Sequence, residues 1–146
     1  MSCEVIEIMI EIDEKKLIEE AEKARLASYS PYSGFSVGAA LLCSDGKIYH
    51  GCNIENTSFT PTCCAERVAI FKAVSEGRRD FVAISVVGGH RGKPSNICAP
   101  CGVCRQVLAE FCAPNTPVIL GSADGQILRT TVGDILPYTF KLREDL

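Results

Sequence analysis

Apolar residues from position 17 recur at helical spacing, with Leu17, Ala21 and Ala24 on one stripe that Ala27 or Ser28 continues. With Asp13 as its cap, this predicts a first helix over about 14–28, broken by Ser30-Pro31-Tyr32-Ser33-Gly34. The apolar run over 36–43 reads as a buried strand. Ser44-Asp45-Gly46-Lys47 turns the chain and 48–53 returns, a β-hairpin. A polar loop over 55–62 leads to a second helix over about 64–76, closed by Gly77. Residues 81–87 read as a β-branched strand and 88–95 as a glycine-rich loop carrying His90 and Arg91. Pro100 opens a third helix over about 102–111. Strands over 117–120 and 126–131 flank Ser122-Ala123-Asp124-Gly125, and a short helix over 132–136 follows. This order predicts an α/β protein, a mixed sheet with helices covering its faces.

Composition narrows the class. The chain has 146 residues, 47% hydrophobic and 23% charged, with no repeat and no low-complexity segment. That suits one compact domain, expected over 13–146 after an extension over 1–12, and excludes a coiled-coil or collagen-like chain. The net charge of −3 offers no footprint for a phosphate backbone, so no nucleic-acid partner is expected. The N-terminal apolar stretch is interrupted by Glu4, Glu7 and Glu11 and lacks a basic lead. It reads as neither a signal peptide nor a membrane span, and a soluble, cytoplasmic protein without a membrane partner is expected.

Nine cysteines are an odd number, which does not suit a complete disulfide framework. In a reducing compartment clustered cysteines more often bind metal or do chemistry. Cys3, Cys43, Cys52 and Cys112 stand in tail, strand-like or helix-like contexts and read as small buried hydrophobes. The cluster at 63–64 and 98–104 is different. Cys101 and Cys104 are three apart at a helix start and share a face. Cys64, 37 positions earlier, also starts a helix, where the free N–H groups favour a thiolate. Three protein ligands with an open fourth position is the pattern of a catalytic zinc.

Glu66 sharpens this reading. Positions two apart on a helix are rotated by about 200°, so Cys64 and Glu66 reach one ion only if it lies off the helix N-terminus. There the carboxylate meets the metal's water as a general base. Three thiolates on Zn²⁺ total −1, which calls for a nearby cation. Arg67, three residues after Cys64, suits that purpose, with Arg105 a weaker candidate. Alternatives remain. A thioredoxin-like Cys-x-x-Cys pair would leave Cys64 and Glu66 unexplained, and a structural zinc would need a fourth donor from Cys63, Cys98 or His90. Cys63 competes with Cys64 as ligand, but only Cys64 has the Cys-x-Glu spacing. His50 and His90 read as polar surface residues.

Cys-x-Glu followed by Pro-Cys-x-x-Cys matches the three-cysteine version of the zinc nucleobase deaminase signature. Beyond it, the chain closely resembles the small homotetrameric cytidine deaminases of pyrimidine salvage. The matching runs are Cys64-Ala65-Glu66-Arg67 and the stretches over 32–42, 51–56, 100–107 and 136–140. The resemblance implies a three-layer α/β/α sandwich around a five-stranded mixed sheet and one Zn²⁺ per subunit. It also implies deamination of cytidine and 2′-deoxycytidine to the uridines. By the same resemblance, Asn53 and Glu55 meet the ribose 3′-hydroxyl region and Phe35 packs on the pyrimidine. The Ala65 backbone meets the polar edge of the base, and Phe140 closes a neighbouring subunit's pocket. Phe59 departs from the tyrosine of many relatives, and Ala99 and Val103 replace a frequent Ser and Ala. Rival readings are a blasticidin-type deaminase, a base editor of RNA or DNA, and a non-catalytic zinc module.

Overall fold

The computed structural model describes residues 10–142; Cys3 and most of the expected 1–12 extension lie outside them. Nine elements follow in order: α1 (Glu14–Arg25), β1 (Phe35–Cys43), β2 (Ile48–Cys52), α2 (Ala65–Ser75), β3 (Phe81–His90), α3 (Gly102–Phe111), β4 (Pro117–Gly121), β5 (Ile127–Thr131) and α4 (Val132–Ile135). The five strands form one sheet in the order β2-β1-β3-β4-β5. Only β3 and β4 run parallel, and the other neighbours are antiparallel, so the sheet is mixed as expected.

β1 shows why its sequence is apolar throughout. Ala39, Leu41 and Cys43 pack with Ala69 and Ile70 of α2 and Leu108 of α3, while Ala40 and Leu42 pack with Leu17 and Ala21 of α1. Successive side chains of a strand alternate faces, so a strand covered on both sides loses its polar positions. The result is the expected three-layer α/β/α sandwich, α1 on one face and α2 with α3 on the other. Asp13 caps α1 as its sequence suggests, accepting the Lys16 N–H at 3.0 Å.

Gly51 sets how closely α2 lies on the sheet. A Cβ there would stand 2.0 Å from the Ala65 carbonyl oxygen and 2.6 Å from the Ala69 nitrogen. Any side chain at this position would lift the N-terminal turn of α2, the turn that carries Cys64 and Glu66.

Two boundaries differ from the sequence reading. α1 ends at Arg25 and not near 28, because Tyr29 N–H turns away to donate to the Asn53 carbonyl at 3.0 Å. β3 continues through Gly88, Gly89 and His90, expected as loop, because these residues pair with Val37, Ser36 and Phe35 of β1. Glycines inside a strand mark a close approach by other groups. Here a Cβ on Gly88 would meet the Cys98 Sγ at 2.8 Å and the Phe35 ring at 3.1 Å. His90 therefore stands at a strand end, its ring edge-on to Phe35 with centroids 5.7 Å apart.

Candidate metal centre and active site

Cys64 and Cys101 are the N-caps of α2 and α3, both with extended backbone and neither capping its helix through the side chain. An N-cap side chain stands off the end of the helix beside its free N–H groups. Two such thiols from two helices, joined by Cys104 in the first turn of α3, converge. The three Sγ atoms all lie within 4.8 Å of one another. Cys64 to Cys101 is 3.7 Å and Cys101 to Cys104 is 3.6 Å. Among the described residues this is the one group of three or more His, Cys, Asp or Glu side chains so placed. Cys63 stays outside it, its backbone paired both ways with Ile54 at 2.9 Å, so the fold gathers Cys64 and not its neighbour. Cys98 and His90 also stay outside, so no fourth protein donor completes the set among the described residues.

The electrostatics suit a cation. The Cys64 thiol is brought down to about 5, chiefly by the hydrogen bond from Cys104, with Arg67 and Cys101 adding to it. Cys104, buried and beside that thiolate, is pushed up and keeps its proton longest. Arg67 Nη2 donates to Cys64 Sγ and to the Thr62 carbonyl, both at 3.4 Å, and its guanidinium is held charged by those thiols. The Arg67 Nε is buried without a protein partner. Arg105 is engaged elsewhere. It donates to the carbonyls of Pro100 at 2.7 Å and Ile135 at 2.8 Å, pinning α4 to the start of α3. The donor set fits zinc, since thiolates in a roughly tetrahedral arrangement with one corner free are what that ion takes.

Glu66 is 3% exposed, in the first turn of α2 beside the Cys104 and Cys64 sulfurs. Burial pushes its carboxyl above the usual range, a direction that favours a group able to give a proton as well as take one. Ala65, fully buried, offers its backbone one residue earlier.

Asn53 and Glu55 lie on the connection from β2 to α2. Asn53 Nδ2 donates to the Phe35 carbonyl at 2.8 Å, and its Oδ1 accepts the Val37 N–H at 2.9 Å. Glu55 Oε1 accepts the N–H groups of Tyr32 and Ser33 at 2.9 and 3.1 Å. The intervening Ile54 pairs with Cys63, so this polar segment is fixed directly to the residue before Cys64. Glu55, Tyr32, Ser33, Phe59 and Thr62 line an open concavity of about 410 Å³. Phe35 is partly buried, its ring edge-on to His90 and close to Gly88. Phe140 is exposed, its carbonyl held by Gln106 Nε2 at 3.1 Å. Sequence reading missed Gly88, whose missing side chain leaves room for both the Phe35 ring and the Cys98 side chain; the paired glycines at 88–89 were the available signal.

Comparison with known proteins agrees with this geometry. Residues 11–120 match the cytidine and deoxycytidylate deaminase zinc-binding region. The chain belongs to the cytidine and deoxycytidylate deaminase family. It is therefore an enzyme, a hydrolase of the cytidine deaminase group. A cytidine deaminase of Sporosarcina psychrophila is 55% identical over 92% of this chain and 96% of its own length. One from Halalkalibacterium halodurans is 53% identical over 88% and 95%. The crystal structure of cytidine deaminase from Burkholderia pseudomallei superposes with a TM-score of 0.81 at 46% identity, covering 88% of this chain and all of that one. No described helix is long and apolar enough to cross a membrane.

Proposed function

We propose that this chain hydrolyses cytidine and 2′-deoxycytidine to uridine and 2′-deoxyuridine with release of ammonia, as a zinc enzyme of pyrimidine salvage. The observation that carries the reading is the meeting of three thiols at two helix N-termini beside a buried carboxyl. Cys64, Cys101 and Cys104 would hold the ion. Zinc, when bound, supplies a water of lowered pKa and a cationic anchor for the developing charge. Glu66 takes the proton of the water that attacks C4 of the ring and delivers it to N3. It then carries a second proton to the exocyclic amine, which leaves as ammonia. One carboxyl thus serves as base and then acid, for which its raised pKa suits it. Arg67 offsets the charge of the thiolates.

At the rim, the Asn53 amide and the Glu55 carboxylate suit a neutral sugar hydroxyl, and the Phe35 ring suits the pyrimidine face. The Ala65 backbone takes the polar edge of the base. Phe140, exposed on its own chain, serves the pocket of a neighbour in a homotetramer. The test measures zinc per chain together with ammonia release from cytidine and 2′-deoxycytidine, and mass in solution. One zinc, turnover of both nucleosides and four times the 15.8 kDa chain mass are expected. Zinc without ammonia from either nucleoside would overturn the reading.

A further inference from the structure

Behind Asn53 lies a row of three hydroxyls that the reaction does not use. Ser28 Oγ sits 2.5 Å from Asn53 Oδ1 and 3.3 Å from Ser30 Oγ, and Ser30 Oγ sits 3.2 Å from Ser36 Oγ. Ser30 and Ser36 are buried, 1% and 6% exposed. The proton direction at the Asn53 end of this row is forced. The Val37 N–H can only donate, so the atom of Asn53 that meets it is the amide oxygen. An amide oxygen only accepts, so the single Ser28 hydroxyl proton goes to it. With that proton spent, the 3.3 Å approach of Ser28 to Ser30 carries no second one, and between Ser30 and Ser36 either hydroxyl can donate.

Counting partners shows what this does. Asn53 Oδ1 has both lone pairs engaged, by Val37 and Ser28, and one Nδ2 proton goes to the Phe35 carbonyl. Toward a ligand the side chain keeps one group, its second N–H. Glu55 can only accept, and two backbone N–H groups leave it further acceptor capacity. A donor and an acceptor side by side match a hydroxyl, which both accepts and donates.

We propose that Ser28, at the end of this hydroxyl row, is a positioning residue for sugar recognition: it saturates the Asn53 oxygen so that Asn53 meets the sugar only as a donor. The inference rests on the reading that Asn53 faces the sugar, and the controls separate the two.

The experiment measures kcat and KM of the zinc-loaded Ser28→Ala, Ser28→Val, Ser28→Thr and Asn53→Ala proteins on cytidine and on 3′-deoxycytidine. Ser28→Ala and Ser28→Val are expected to raise KM for cytidine about three- to ten-fold, the worth of one hydrogen bond, with kcat within about two-fold. Ser28→Thr restores the hydroxyl and the KM. On 3′-deoxycytidine, which lacks the group being held, the Ser28 variants and the parent converge. Equal KM losses on both nucleosides would mean a general structural role and overturn the proposal. So would an unchanged KM in both Ser28→Ala and Ser28→Val while Asn53→Ala raises it, and then the sugar reading stands. If Asn53→Ala leaves KM for cytidine unchanged, the sugar reading itself falls and the proposal with it. The Val and Thr pair, equal in shape, decides the matter should the Ala variant fold poorly.

Discussion

Glu66 at the metal end keeps 3% of its surface exposed, whereas Phe59 on the rim beside Glu55 and Tyr32 keeps 70%. The two ends of one site are built by different rules. At the metal end, Glu66 and Cys104 are buried while Cys101 stands exposed, and Cys64 and Cys101 both stand at helix N-termini. Burial there shifts acidities, which chemistry needs. At the rim the side chains are open and polar, and Asn53 and Glu55 are fixed by bonds to main chain. The boundary between the two ends is the pairing of Ile54 with Cys63.

That contrast can be broken most severely at the thiols. Cys101→Ala, at an exposed N-cap outside the core, is expected to lose zinc and activity together while the fold persists; metal analysis and circular dichroism check it. Retained zinc with normal turnover would remove Cys101 from the ligand set. Glu66→Gln keeps the ligands and is expected to keep the metal while kcat falls about 10²–10⁴-fold. A change confined to KM would instead place Glu66 with the rim groups.

A chemical probe sharpens the electrostatic side of the comparison. After zinc is stripped by a chelator, Cys64, brought down to about 5, is thiolate at pH 7, whereas Cys98, pushed up to about 11 by burial, is still a thiol. Alkylation followed by mass mapping should find Cys64 modified well before Cys98. Arg67→Gln, which removes a hydrogen bond to that sulfur, should slow the Cys64 reaction at pH 6. Equal rates at both cysteines would deny the centre its special field. The smallest effect belongs to the rim: Phe59→Tyr adds one hydroxyl to the open concavity and should lower KM for cytidine by no more than about ten-fold, leaving kcat alone.

Much of this was readable along the chain because it depends on short spacings. Cys64 with Glu66, and Cys101 with Cys104, are related through a single helix turn, so their geometry follows from helix pitch once the helices are placed. The apolar runs likewise fix β1 as a strand buried on both faces and α1 as a one-sided helix. Tertiary structure alone decided matters that depend on distant partners. That Cys64 and not Cys63 stands beside Cys101 and Cys104 came from the fold, which pairs Cys63 with Ile54. Gly88 and Gly89 belong to a strand and not a loop because β1 lies alongside to pair them. Arg67 went to a sulfur and Arg105 to two carbonyls, although both stand near a ligand cysteine in the sequence. The serine row behind Asn53 left no trace in the sequence, since three hydroxyls form one path only after α1 ends and β1 begins beside it. Periodicity and spacing act within one element, where covalent geometry sets distance. Which groups meet across elements is set by packing, and that depends on the whole fold.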